Sequence, residues 1–282
     1  LPVTRLLVTD LDGTLLDPDG LVHDRDREAI VALRRAGVHV ALCTGRLYSG
    51  TRHVAEELEL TGPVACVDGS HIVDAHSGRA LHLATLDAVQ LGTALRCVEQ
   101  AGLTCFVFAG DAVYYDAPGA ELLSYVSLWS RECLEVDRVT APHRWGVHQQ
   151  VMALVALGAP EHVHEVGTRL NQQMGLYCAW FDVRRPGFEG QWGLIVRSSA
   201  ASKGTAVRWL AQHHGVARQD VIVVGDWLND VPMFEWAGQA FAMAQAPDEV
   251  KRVATCVLDA HTTEGGGILE AARRAGWLPH AG

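Results

Sequence analysis

Leu6-Leu7-Val8-Thr9-Asp10-Leu11-Asp12-Gly13-Thr14-Leu15-Leu16 decides how the rest of this 282-residue chain is read. The apolar run Leu6 to Val8 ends in a turn signal at Asp12-Gly13, the pattern of a buried strand. The two acids therefore sit at the strand's C-terminal end, the side on which open α/β sheets bind ligands. Spaced two apart, Asp10 and Asp12 can lie on one side of the strand and share a site. One can attack or hold a metal while the other moves protons. The same residues also suit an acidic hairpin turn, because Asp-Gly is a common turn pair.

Three further stretches narrow that choice. Val38 to Leu42 is apolar and runs into Cys43-Thr44-Gly45-Arg46, a hydroxyl at a strand end. Ser202-Lys203-Gly204 opens a helical stretch. Val221-Ile222-Val223-Val224 runs into Gly225-Asp226-Trp227-Leu228-Asn229-Asp230, an acidic loop. In this order the four segments resemble the motifs of the haloacid dehalogenase superfamily, whose phosphatases form an aspartyl-phosphate intermediate. The interval between Arg46 and Lys203 and the tail Ala242-Met243-Ala244-Gln245-Ala246 resemble the Cof-type branch, which carries an inserted cap domain. The resemblance implies an α/β fold: a doubly wound parallel (Rossmann-like) core sheet with an inserted α+β cap. Residues 1–84 and 190–282 would form the core, and 85–189 the cap that selects substrates.

The resemblance also implies roles. Asp10 is the expected nucleophile and Asp12 the general acid and base, with Thr44 and Lys203 completing the catalytic set. Thr44, Gly45, Arg46, Lys203 and Asn229 are the expected substrate-binding residues. A carboxylate facing a phosphate dianion needs a cation between them, and Mg²⁺ prefers oxygen ligands. Asp10 and Asp226 fit as direct ligands, with Asp12 contributing its backbone carbonyl. Asp230 and Asn229 would support the metal through water or from behind its ligands. For Thr44 the alternative is ordinary capping of the next helix, and for Arg46 a solvated helix start.

Composition bounds the partners. Hydrophobic residues make up 49% of the chain, enough for a sizeable core, and the net charge of −10 offers no basic surface to nucleic acid. Positive charge for an anionic substrate must therefore be local. Only Lys203 and Lys251 are lysines, so the other 21 of the 23 basic side chains are arginines, which makes a lysine at the third motif informative. The seven cysteines form no C-x-x-C pair, and their odd number excludes a complete disulfide framework, which suits a reducing cytoplasm. No stretch has the length of a membrane span and no signal-peptide pattern opens the chain. The first residue is Leu, consistent with a trimmed start.

Outside the motifs the rhythm is legible. Asp24 to Ala36 and Tyr48 to Leu58 read as helices and Val64 to Val67 as a strand, giving βαβ units. From about Leu86 the pattern changes. Helices are expected over Leu86–Ala101, Ala120–Arg131 and Glu161–Met174, with strands over Leu103–Phe108, Val113–Tyr115, Val151–Leu157 and Tyr177–Phe181. Leu194–Val196 and Phe241–Ala244 read as strands of the returning core. Asp68 stands where Cof-like sequences usually carry Asn, as a turn residue or a substrate contact. Trp227 departs from the family pattern and is expected to pack beneath its loop, with stacking on substrate as the alternative. Gly265-Gly266-Gly267 is either a phosphate loop or a flexible turn, and His213-His214 are expected to be solvated. Asp111, Arg144, Arg184 and Arg185 are unranked specificity candidates in the cap.

Together these features predict a Mg²⁺-dependent phosphomonoesterase acting on a small phosphorylated metabolite, with sugar phosphates among the candidates. A phosphomutase and a non-catalytic phospho-ligand sensor are the alternatives. Neither nucleic acid nor membrane is an expected partner, and the oligomeric state is open.

Overall fold

In the computed structural model, which describes residues 4–141, 150–183 and 187–279, strand β1 (Arg5–Thr9) buries Leu6, Leu7 and Val8 completely. Helix α1 (Asp24–Arg35) turns Ala29, Ile30 and Leu33 inward. Asp24 and Asp26 lie in its first turn and Arg34 and Arg35 in its last, placements the helix dipole favours. Then come β2 (Val38–Leu42), α2 (Tyr48–Glu57) and β3 (Pro63–Cys66), as the sequence predicts. β4 (His71–Asp74) and β5 (Ala80–Leu83) join β3 in a three-stranded sheet that the sequence reading missed. β5 is mostly exposed, so no apolar period announces it.

Asp87 starts α3 (Ala88–Gln100) with a capping box to Gln90. β6 (Thr104–Ala109) and β7 (Ala112–Tyr115) pair antiparallel around Gly110-Asp111. The single helix expected over Ala120–Arg131 is instead two short turns, α4 (Ala117–Ala120) and α5 (Leu123–Val126). Leu122, at φ −104° and ψ 3°, leaves the helical region between them. β8 (Cys133–Glu135), β9 (Val151–Gly158), α6 (Pro160–Met174), β10 (Tyr177–Asp182) and β11 (Trp192–Arg197) complete this part. Six strands form one sheet in the order β10-β11-β9-β6-β7-β8, antiparallel except for β7 and β8. α3 and α6 pack on it through Leu91, Leu95, Val98, Val163, Val166 and Leu170. Tyr125, Trp129, Phe181 and Phe188 form a separate ring cluster in the same unit.

β11 corrects an expectation. It does not return to the core but lies antiparallel between β10 and β9, with Tyr177 opposite Arg197 and Arg197 opposite Ala153. Its apolar run would suit either sheet, and the connection from β10 is too short for the crossover a parallel neighbour needs.

The chain then forms α7 (Lys203–His214), β12 (Val221–Gly225), α8 (Val231–Trp236), β13 (Gln239–Ala242), α9 (Asp248–Val253), β14 (Cys256–Val257) and α10 (Gly267–Arg274). A five-stranded, wholly parallel sheet has the order β14-β13-β12-β1-β2. Chain direction across the sheet reverses at β1, so the crevice between β1 and β12 is its switch point. The molecule divides into two compact units. One comprises Leu1–Gly45, Thr51–His82 and Ser202–Gly282; the other, Arg46–Gly50 and Leu83–Ala201. Among the described residues no helix is long and apolar enough to cross a membrane.

Two smaller expectations are resolved here. The Gly265-Gly266-Gly267 run is a turn rather than a phosphate loop. The buried Asp26 carboxylate already accepts from the N–H groups of Gly266 (2.7 Å), Ile268 (2.8 Å) and Leu269 (3.3 Å) at the start of α10. His213 is exposed, but His214 is half-buried and stacks on His39 at 4.1 Å. Burial and the neighbouring imidazoles push its pKa down to about 4.

Candidate active site

Asp10 follows β1 without a break: its N–H donates to the Val224 carbonyl of β12 at 3.0 Å, so the sheet fixes where its side chain starts. Asp226 follows β12 in the same way across the switch point. Ser202 caps α7 with its hydroxyl on the Thr205 N–H, which places Lys203 in the first turn with its side chain 1% exposed. Neighbouring backbone pins that turn. A Cβ on Gly204 would lie 2.4 Å from the Pro232 carbonyl oxygen, and one on Gly69 would lie 2.6 Å from that of Ser202.

The Lys203 Nζ donates to Asp10 Oδ1 at 2.5 Å and to Asp230 Oδ1 at 2.6 Å. Asp230, fully buried, uses its other oxygen to accept the N–H groups of Asp226 (2.8 Å) and Trp227 (2.9 Å). Asp226 Oδ1 accepts the Thr14 hydroxyl at 2.9 Å. Its Oδ2 lies so close to Gly13 that a Cβ there would stand 2.5 Å away, and Gly13 adopts φ +79°. Both demands are met by glycine alone. Asp10, Asp226 and Asp230 each bring a carboxylate oxygen within 4.8 Å of the others.

This cluster is electrostatically uncomfortable. Burial pushes the Asp10 carboxyl well above its ordinary range, with Lys203 pulling it down and Asp230, Asp226 and Asp12 pushing it up. Burial and the Asp230 charge raise Asp226 to about 7, against hydrogen bonds from Thr14 and Gln245 and the charge of Lys203. Three buried carboxylates face one ammonium, an excess of negative charge that a hard divalent cation with oxygen ligands would neutralise. The donor set therefore fits Mg²⁺. Since Asp230 already accepts three hydrogen bonds, it serves better to orient its neighbours than to bind metal directly.

Asp12 lies at the exposed edge of this group. Thr44 is buried at the end of β2, where its N–H donates to Ala65 O and its carbonyl accepts from the Asp68 N–H, both at 2.9 Å. That N–H belongs to the sheet, so the hydroxyl is the group Thr44 brings to chemistry. Gly45 lies beside Asp68, whose Oδ1 would be 3.6 Å from a Cβ at that position. Asn229 donates its amide to Asp68 Oδ1 at 2.9 Å. Val67 and Asp68 both have φ +49°, a costly backbone for a β-branched residue. The strained turn joins Asp68 to Thr44 through its backbone and to Asn229 through its side chain.

Other expectations fall elsewhere. Arg46 belongs to the second unit, where its guanidinium donates to the Gly50 carbonyl in the first turn of α2. Asp111, in the same unit, accepts the Ser49 N–H at 2.8 Å, and burial raises its pKa. It thus satisfies the helix start rather than standing open on a loop. Trp227 is not packed beneath its loop but 49% exposed. The tight turn locks its backbone onto Asp230 and leaves the indole outside. Arg144, Arg184 and Arg185 lie outside the described residues. Gln245, legible in the sequence only as part of the tail motif, donates to the Gly13 carbonyl at 2.5 Å and accepts the Thr262 N–H at 3.2 Å.

Comparison with known proteins agrees with this geometry. Residues 7–271 match the haloacid dehalogenase-like hydrolase family. The chain is 26% identical to the pyridoxal phosphate phosphatase YbhA of Escherichia coli, covering 93% of this chain and 95% of that protein. It is 27% identical to the phosphatase YwpJ of Bacillus subtilis, covering 90% and 94%. A haloacid dehalogenase-like hydrolase from Bacteroides thetaiotaomicron shares the fold with a TM-score of 0.79 at 22% identity, over 96% of this chain and 99% of that one. With residues 7–271 matched and Lys203 holding Asp10 and Asp230 together, the chain belongs to the haloacid dehalogenase-like hydrolases.

Proposed function

We propose that this protein is a Mg²⁺-dependent phosphomonoesterase that hydrolyses a small phosphorylated metabolite through an aspartyl-phosphate on Asp10. The observation that carries the reading is the buried Lys203 ammonium held between Asp10 and Asp230, with Asp226 alongside. A simple phosphate-binding protein has no use for this concentration of buried carboxylate.

Asp10 Oδ1 is tethered to Lys203, which leaves Oδ2 to attack phosphorus and form the acyl phosphate. Asp12, at the exposed edge, would protonate the leaving alcohol oxygen and then take a proton from the water that hydrolyses the intermediate. The Thr44 hydroxyl and Lys203 ammonium would hold phosphoryl oxygens, and the Asp68–Asn229 pair would fix the neighbouring wall. Asp10, Asp226 and the Asp12 carbonyl would hold Mg²⁺, and Asp230 would orient them. When bound, the cation supplies charge neutralisation between carboxylates and phosphate.

We assign substrate selection to the second unit, which the sequence bounds at residues 85–189 and the strand pairing of β11 extends to Ala201. The curated relatives include a pyridoxal phosphate phosphatase and 5-amino-6-(5-phospho-D-ribitylamino)uracil phosphatases, so phosphate esters bearing a planar ring join sugar phosphates as candidates. The test is a panel of phosphorylated metabolites assayed with Mg²⁺ and ranked by kcat/KM. Release of inorganic phosphate from at least one, abolished by chelation and restored by Mg²⁺, is expected. Isomerised ester without free phosphate would overturn the reading in favour of a phosphomutase.

A further inference from the structure

Gln245 lies in the turn that follows β13, in the loop layer where Asp10 and Asp226 emerge. Its amide makes two hydrogen bonds to two separate parts of the chain. The Nε2 donates to the Gly13 carbonyl at 2.5 Å and the Oε1 accepts the Thr262 N–H at 3.2 Å. A flipped amide would set its oxygen against the Gly13 carbonyl and its donors against the Thr262 N–H, so the partners fix its orientation.

The consequence falls on Asp226. Its Oδ1 is held by the Thr14 hydroxyl at 2.9 Å, and Gly13 walls off Oδ2. From a different strand end, Gln245 holds Gly13, the residue against which Asp226 packs. Thr262 continues the chain of contacts, since its hydroxyl donates to the Leu16 carbonyl at 3.0 Å. The first-motif loop and the segment before α10 are thus joined at one side chain, and Gly13 carries the constraint to Asp226 in the acidic loop.

We infer that Gln245 is a positioning residue for the cation: it fixes the rotamer of Asp226 and the distance between the Asp12-Gly13 turn and the acidic loop. The inference rests on the proposed metal site and extends it to a residue outside the four motifs. Partners that orient metal ligands from behind govern affinity by roughly 10–100-fold.

The test uses the whole protein, freed of metal, titrated with Mn²⁺ alone and followed by electron paramagnetic resonance, with no substrate present. Gln245→Met keeps the length of the side chain and removes both hydrogen bonds. Its Mn²⁺ Kd is expected to rise about 10–100-fold over that of the unsubstituted protein, with the circular dichroism of the metal-free fold retained. Should Gln245→Met fail to fold, Gln245→Ala carries the same measurement. A Kd within about threefold of the unsubstituted protein in either folded variant overturns the inference, because a brace that only stabilises the loop would lower Tm and leave Kd alone. If the unsubstituted protein binds no Mn²⁺, the metal-site reading itself fails, and that result is distinct from a failure of the Gln245 role.

Discussion

Lys203→Arg preserves charge and tests the geometry of the site most severely. Nζ sits 2.5 Å from Asp10 Oδ1 and 2.6 Å from Asp230 Oδ1 on a side chain that is 1% exposed. The helix turn beneath it cannot retreat. Gly204 already abuts the Pro232 carbonyl and Gly69 the Ser202 carbonyl, with no room at either for a single added carbon. The larger, forked guanidinium must therefore push outward into Asp10, Asp230 or the space a phosphoryl oxygen needs. Displacement of the nucleophile by about 1 Å costs roughly 100-fold in rate, and overpacking a buried site typically costs about 1–3 kcal/mol. The expected result is kcat reduced at least about 100-fold, with Tm lower by roughly 2–4 °C for each kcal/mol lost. Steady-state hydrolysis of p-nitrophenyl phosphate at saturating Mg²⁺, with thermal unfolding measured alongside, reads both. A kcat within about threefold of the unsubstituted enzyme and an unchanged Tm would refute the claim that this ammonium occupies a closely fitted position.

Other outcomes follow from the same contacts. Asp10→Asn should abolish phosphoenzyme formation, whereas Asp12→Asn should still label with an activated ester and then hydrolyse slowly; rapid-quench labelling separates them. Burial raises Asp226 to about 7 and Asp10 upward, so folded carboxyls bind more protons than unfolded ones. Metal-free protein should therefore lose stability as pH rises from about 4 to about 7. Protons also compete with the cation, so the rise in Tm on adding Mg²⁺ should be larger at pH 8 than at pH 5.5. Calorimetry in chelator and in Mg²⁺ checks both signs. Asp26→Ala removes the acceptor for the Gly266, Ile268 and Leu269 N–H groups and should cost about 1–2 kcal/mol without changing kcat, as denaturant titration and kinetics would show. Trp227→Ala, at a half-exposed position, should shift stability by less than about 0.5 kcal/mol.

The motifs were legible because continuous apolar runs such as Leu6 to Val8 and Val221 to Val224 identify buried parallel strands, and the residues after them fall at the ligand-binding end. Local sequence cannot choose between two sheets for an apolar strand. β11 went to the six-stranded sheet because a hairpin with β10 closes a shorter loop than a crossover into the core. Trp227 was misjudged for a related reason. An indole is ordinarily worth burying, but here the backbone direction is set by two hydrogen bonds to Asp230, and the side chain goes where that turn leaves it. Gln245 belongs to the tail motif, but its role has no local signal, since one of its partners is 232 residues away and its amide resembles that of any surface glutamine.

Asp230 shows why the first, third and fourth motifs form one device rather than three adjacent features. Its Oδ1 takes Lys203 and its Oδ2 takes the N–H groups of Asp226 and Trp227, so a single carboxylate couples the third motif to the fourth. Lys203 passes the constraint to Asp10 in the first, and Asp226 returns it to the first-motif loop through Thr14. The loop of contacts is closed, which means that moving any one charged group displaces the others. Replacing Asp230 by Asn would keep its size and much of its hydrogen bonding but remove the charge that holds Lys203 between two carboxylates. Lys203 would then lean on Asp10 alone, drawing electron density from the nucleophile. The expected signature is a fall in kcat larger than any change in KM, measured by steady-state kinetics. An equal rise in KM with kcat intact would mean that Asp230 serves substrate binding and that the closed loop has no bearing on the chemical step.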